Sequence, residues 1–365
     1  MTPIHGTTTP RFRAVRDAFV ANFRDHGEVG AALCVYHRGH CVVDLWGGIA
    51  DPTTGTPWAE DTLTYVFSTT KGFTATCAHL VAQRGELDLD APVADYWPEF
   101  AAAGKQHIPV RWLLSHRAGL PALDAPIPLA EALAWHPMAT ALTAQRPLWM
   151  PGSAHGYHAQ TLGWLVGEVI RRITGRTPGR FFAEEIATPL GLDAYIGLPP
   201  AHQRRVSHLI EPPAAGDTDS PALRRASAVT IPRIDPNDPS VHAAEIPSSN
   251  GITTAAALAR FYHALIDPTA GYPLLAPGTL ARATTVESEG LDLTLGVPTR
   301  FGLGYALYPL WGADCFGHGG RGGSLGVAHL PSRTTIGYVM NRMHTGRATD
   351  HRFTNLATAL TTSLC

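Results

Sequence analysis

Ser68 and Lys71 stand three positions apart in the run Tyr65-Val66-Phe67-Ser68-Thr69-Thr70-Lys71-Gly72-Phe73. A serine alcohol is a poor nucleophile at neutral pH until a base takes its proton. A helix that begins at the serine carries the side chain three residues on to the same face, within reach of the hydroxyl. The residues before Ser68 are apolar, and residues 72–81 read as a buried helix. An amine drawn into such an interior needs partners, because an unpaired buried charge is costly. The pattern is that of a serine activated by a lysine; taken alone, it also fits a helix N-cap followed by a surface lysine.

Such a pair still needs a proton relay, an oxyanion hole and a wall opposite the nucleophile. Tyr157 is the candidate relay, presented by the turn-rich residues 149–156 just before a helical stretch. A phenol beside an ammonium ionises more easily and passes protons. The wall is sought in Gly317-His318-Gly319-Gly320-Arg321-Gly322-Gly323-Ser324, whose glycines let a substrate approach strand backbone and leave an amide N–H for an oxyanion. The overlapping Gly322-Gly323-Ser324-Leu325-Gly326 matches Gly-x-Ser-x-Gly, an elbow that requires a strand before the serine and a helix after it. Residues 327–330 continue as a strand, so Ser324 is not expected to attack. Eighteen histidines include no His-Glu-x-x-His run and no tight cluster, and neither a metal nor any other cofactor is expected. His155 and His158 flank Tyr157; both read as residues of a solvated loop, with His158 a candidate substrate contact.

A chain of 365 residues buries a large core and is expected to split into two lobes. A net charge of −2 and a charged fraction of 16% argue against a nucleic-acid or anionic-membrane partner. The first residues lack the basic and apolar regions of an export signal, and no apolar run reaches membrane-spanning length, so a cytoplasmic protein is the expectation. Five cysteines show no metal-type spacing; Cys34 and Cys41 flank a hairpin turn and are expected as reduced thiols.

Residues 11–24 have the apolar spacing of an amphipathic helix, and residues 31–36 and 41–46 read as two strands joined at Arg38-Gly39. Helices are expected over 110–115, 129–144, 160–174 and 178–188, strands over 314–317, 325–330 and 335–341, and a closing helix over 353–364. Residues 198–247 are proline-rich and too long for an ordinary connector. These elements predict an α+β fold, with an antiparallel sheet flanked by helices built from 1–85 and 248–365, and a mostly helical lobe from 86–247.

Ser68-x-x-Lys71, Tyr157 after a Pro-Gly turn and His318-x-Gly320 late in the chain occur in the order used by the serine β-lactamase and penicillin-binding-protein superfamily. The chain resembles most its class C branch and the family VIII carboxylesterases. The likeness extends through Leu113-Leu114-Ser115-His116-Arg117-Ala118-Gly119-Leu120, Ser249-Asn250-Gly251-Ile252-Thr253-Thr254 and Phe301-Gly302-Leu303-Gly304-Tyr305. It implies a β-lactamase/transpeptidase-like fold, an acylated Ser68, an activating pair Lys71 and Tyr157, and an oxyanion hole from the backbone N–H groups of Ser68 and Arg321. His318, Gly319 and Gly320 then face the substrate. Two positions depart from the lactamase pattern. Ala159 stands where a class C enzyme offers an asparagine, and His318 replaces a strand lysine. Both changes point to a small neutral ester or acyl substrate. The rival expectations are an acyltransferase, a β-lactamase or D-Ala-D-Ala peptidase, and a silent ligand-binding homologue; nothing in the chain sets an oligomeric state.

Overall fold

The computed structural model describes residues 2–212, 234–267, 271–309, 315–344 and 350–364. Two runs of alternating and apolar residues form a hairpin, β2 (Gly30–His37) and β3 (His40–Asp51). Arg38 and Gly39 both take positive φ, +48° and +89°, the geometry that matches the twist of a two-residue hairpin loop. β1 (Ile4–Thr8) adds to the outer edge of β3, and β4 (Thr56–Pro57) pairs with the end of the same strand. From the other end of the chain come β8 (Ser288–Leu291), β9 (Pro298–Phe301), β10 (Ala306–Tyr308), β11 (Cys315–Gly319), β12 (Leu325–His329) and β13 (Thr334–Met340). They complete one antiparallel sheet in the order β1-β3-β2-β13-β12-β11-β10-β9-β8. The two chain ends therefore meet at the β2–β13 pair, where Gly337 faces Cys34.

The helix Ala255–Ile266 lies on this sheet at a glycine stripe. A Cβ on Gly337 would stand 2.2 Å from the carbonyl oxygen of Ala255, and one on Gly326 would stand 2.5 Å from the Tyr262 ring. Any larger residue at either position would push the helix off the strands. The helix Arg13–Asp25 packs with the closing helix His351–Leu364. A second sheet, β5 (Thr64–Tyr65), β7 (Gly251–Thr253) and β6 (Ala194–Ile196) in that order, joins three distant parts of the chain. Its strands are two or three residues long, below what periodicity detects, and sequence reading misses them.

Helices occupy the middle of the chain, with two differences from expectation. The stretch 129–144 is broken into Leu129–Leu133 and His136–Ala144, with Trp135 at φ +69° between them. Pro137 lacks an N–H and its ring disfavours continuation from the preceding turn, so the chain restarts there. The stretch 178–188 is helical but widens to a π turn over Ala183–Ala187. Strand β11 starts at Cys315; residue 314, at which it was expected to begin, and residues 213–233 of the proline-rich stretch lie outside the described residues. Cys34 and Cys41 are free thiols with their sulfurs 3.7 Å apart. Among the described residues, no helix is long and apolar enough to cross a membrane, and no group of three metal-ligating side chains gathers.

Candidate active site

Ser68 sits in a turn between β5 and the helix Thr70–Gln83, half-buried. The helix thus starts two residues later than the sequence suggests. The spacing still works because the entry turn is tight: the N–H of Lys71 donates to the Ser68 carbonyl at 3.0 Å. Phe67, immediately before the serine, holds φ at +46°, a conformation that a bulky residue adopts only when its surroundings impose it. Thr70 imposes it. Its hydroxyl donates to the Phe67 carbonyl at 2.5 Å and accepts from the N–H of Gly251 at 2.7 Å. The short sheet therefore braces the turn that carries the serine.

Lys71 is fully buried. Its Nζ donates to Ser68 Oγ at 3.0 Å, to the Ala159 carbonyl at 2.6 Å and to the Ser248 carbonyl at 2.9 Å. Three acceptors satisfy the three protons of an ammonium and offset its desolvation. Two of them come from loops that other residues hold. Asn250 accepts from the N–H of Ile246 at 2.8 Å and donates to the Val241 and Ala244 carbonyls, which pins the loop bearing Ser248. The Ser248 hydroxyl in turn donates to the Gln160 carbonyl at 2.5 Å and ties that loop to Ala159.

The Tyr157 ring lies beside the amine, with Lys71 Nζ 4.7 Å from its centroid. Phe301 and His318 stack on the ring at centroid distances of 6.0 and 5.9 Å, and His116 packs at 4.9 Å. The main chain is fixed by Asp292, a fully buried carboxylate whose Oδ1 accepts from the N–H groups of Tyr157, Thr294 and Leu295 at 2.8–2.9 Å. His158 is less available to a substrate than expected. Its Nδ1–H donates to the Gly156 carbonyl at 2.6 Å and its Nε2 accepts from the N–H of Leu120 at 2.9 Å. Burial holds its pKa down to about 4, and the neutral ring serves to brace the Tyr157 loop. His116, at φ +61°, accepts the N–H of His158 on Nδ1 at 3.1 Å. Burial, then the neighbouring His158, Lys71, His318 and His155, keeps it neutral as well. His155 reaches Thr299, at 2.9 Å, and not the pocket.

The glycine-rich connection from β11 to β12 packs against the turn that carries Ser68. Ser324 is buried, and its hydroxyl donates to the Val66 carbonyl at 2.9 Å and meets Thr69 Oγ1 at 3.2 Å. It is followed by β12, not by a helix, so Ser324 is a stitch between the two turns. Gly320 lies so close that a Cβ there would fall 2.2 Å from both Val66 O and Ser324 Oγ. Several N–H groups here are engaged: Gly319 donates to Tyr308 Oη at 3.0 Å, and Gly320 to the Ser324 carbonyl at 2.7 Å. Arg321 opens the short turn Arg321–Gly323 directly after them. His318 is nearly buried, and its Nδ1–H donates to the Gly319 carbonyl at 2.8 Å.

Ser68, Lys71, Tyr157, His318, Gly319 and Gly320 thus converge on one locus, and Arg321 borders it. Asp292, Asn250, His116 and Ser324 hold the locus in shape, and sequence reasoning assigned none of them that part. A lone acid in the otherwise uncharged stretch 290–299 was the one available sign for Asp292.

The sequence profile of the beta-lactamase family matches residues 15–360. The Mycobacterium tuberculosis protein "Esterase/beta-lactamase LipL" is 37% identical over 360 residues, covering 93% of this chain and 83% of that protein. A solved family VIII carboxylesterase superposes with a TM-score of 0.91 at 40% identity, over 98% of both chains. A penicillin-binding-protein homologue from Caulobacter crescentus gives 0.92 at 39% identity, over 99% of this chain and all of that one. With the family profile matched over nearly its whole length and these relatives covered almost end to end, the chain belongs to the beta-lactamase family.

Proposed function

We propose that the protein is a serine carboxylesterase that works through an acyl-Ser68 intermediate. The observation that carries this reading is the 3.0 Å contact between Lys71 Nζ and a half-exposed Ser68 Oγ, with the Tyr157 ring against the same amine. In the first step Ser68 Oγ attacks the ester carbonyl and its proton passes to Tyr157, whose phenolate the Lys71 ammonium favours. The carbonyl oxygen gathers negative charge against the N–H groups of Ser68 and Arg321. The same proton then goes to the departing alcohol, and the C–O bond of the ester breaks. Water repeats the sequence in reverse, bonds to the acyl carbon and releases the acid and Ser68. No metal or organic cofactor enters these steps.

Esters suit this locus better than β-lactams. Ala159 offers a lactam side chain no amide, and its carbonyl is spent on Lys71. His318 supplies no permanent cation for a lactam carboxylate. Each missing hydrogen bond to a charged or amide group forfeits about 1–3 kcal/mol, roughly ten- to a hundredfold. The names of the relatives support ester cleavage: the family VIII protein is described as a carboxylesterase, and LipL as an esterase/beta-lactamase. Measuring kcat/KM for p-nitrophenyl butyrate and a chromogenic cephalosporin on one preparation tests it. The ester value is expected to exceed the cephalosporin value by at least tenfold; equality or the reverse order favours the lactamase reading.

A further inference from the structure

Two stretches that hold one charged residue between them meet beside Tyr157. Residues 147–154 read Pro-Leu-Trp-Met-Pro-Gly-Ser-Ala, and residues 290–299 read Gly-Leu-Asp-Leu-Thr-Leu-Gly-Val-Pro-Thr. Among the described residues, five of the seven exposed large apolar side chains fall on them: Met150 at 74% exposure, Leu291 at 62%, Val297 at 48%, Leu293 at 44% and Leu148 at 42%. The stretches are fastened together. The N–H of Leu293 donates to the His155 carbonyl at 3.0 Å, and a Cβ on Gly156 would touch both the Trp149 ring and Thr294 Oγ1. The single charge, Asp292, turns inward to hold the Tyr157 N–H, and Leu295 packs on the group that contains Tyr157, Phe301 and Ala306. The hairpin thus shows apolar side chains to solvent and spends its one charge on the catalytic locus.

Resting on the ester reading above, we propose that these two stretches form an apolar collar through which the enzyme takes poorly soluble short- or medium-chain esters from a neutral lipid phase. Large apolar side chains left in water at a site's edge mark a surface that is covered in use. The absence of exposed charge on both stretches fits a neutral occupant. A stable self-interface takes about 20–30 residues a side, more than the collar offers, while an interfacial anchor needs only a few apolar side chains that dip into the lipid boundary. Position argues the same way: the surface adjoins the residue that handles the proton in ester cleavage.

The test uses the full chain and tributyrin, a neutral short-chain triester, followed across its solubility limit, with p-nitrophenyl acetate as the soluble reference. The rate on tributyrin is expected to step up at least threefold above the hyperbola of the dissolved ester once droplets form. Ser68→Ala protein is expected to float with phosphatidylcholine-coated triolein droplets in a density gradient. The double variant Met150→Ser/Leu291→Ser is expected to lower the ratio of droplet to soluble rate at least fivefold and to abolish flotation. A hyperbola running unbroken through saturation, together with no flotation, overturns the collar. So does a concentration-dependent dimer that the double variant dissolves, since the surface then serves a second copy. Failure on p-nitrophenyl acetate itself sinks the esterase reading instead, and flotation of Ser68→Ala still decides the collar.

Discussion

Lys71 and Lys105 are both fully buried, and each ammonium gives its three protons to three acceptors. Each also lies over an aromatic ring, Tyr157 at 4.7 Å and Phe100 at 5.3 Å. The partners differ. Lys105 caps the carbonyls of Ala102, Thr143 and Gln145 at 2.7–2.9 Å, so it clamps the end of the helix His136–Ala144 to the turn Pro98–Gly104, as a cation at a helix C-terminus does. Lys71 has two carbonyls and, in the third place, a hydroxyl that solvent reaches. Its aromatic neighbour is a phenol, and that of Lys105 is a plain ring. Burial of an amine is thus shared by a staple and a catalytic site; an exchangeable proton on its partners separates them.

The largest expected effects break the comparison at its catalytic end. Lys71→Ala and Tyr157→Phe are each expected to lower kcat by about 10²-fold or more, the size of general acid–base contributions. Because the two act as a unit, the double variant is expected to be little worse than either single one. Stopped ester assays on all three check this; losses that multiply in full would return Tyr157 to the scaffold.

At the structural end, Lys105→Met leaves three carbonyls without their donor and is expected to cost about 2–4 kcal/mol of stability. Urea unfolding measures the loss, and kcat of the folded fraction is expected to stay within twofold. A variant as stable as the parent but catalytically dead would erase the distinction between the two lysines.

A pH-dependent effect on stability comes from two buried histidines, His158 beside the site and His79 on the helix Thr70–Gln83. Burial lowers the pKa of His158 and of His79 to about 4, while an unfolded imidazole titrates near 6.5. Below that value the unfolded chain binds protons that the folded one refuses, so stability falls as pH drops from about 6.5 toward 4. The loss approaches about 3 kcal/mol for each ring by pH 4. Urea midpoints between pH 7 and 4.5 are expected to fall, and the slope for His158→Gln is expected to be shallower by one proton. An unchanged slope in that variant would show the ring to be charged or unfolded at the start.

How much of this was legible before the structure follows from range. Ser68 and Lys71 are neighbours in sequence, and their contact is a local property of one helical turn. Strands β2, β3, β12 and β13 are legible for the same reason, being short apolar or alternating runs between turn signals. The small sheet that strains Phe67 joins residues near 65, 195 and 252, and no local pattern announces it. Asp292 reaches Tyr157 across 135 positions through a backbone N–H, a bond that any residue at 157 could make. His158 looked available because it adjoins Tyr157; the two bonds that occupy its ring come from Gly156 and from Leu120. Ser324 shows the converse, a motif whose letters match an elbow while the strand after it does not.

The assignment of Ser68 as nucleophile, on which the contrast between the two lysines rests, is tested most directly by labelling with a serine-directed fluorophosphonate and mapping the adduct by peptide mass spectrometry. One adduct per chain is expected, on the peptide that contains Ser68, and none in Ser68→Ala. An adduct on Ser324, or labelling that survives Ser68→Ala, would contradict the account.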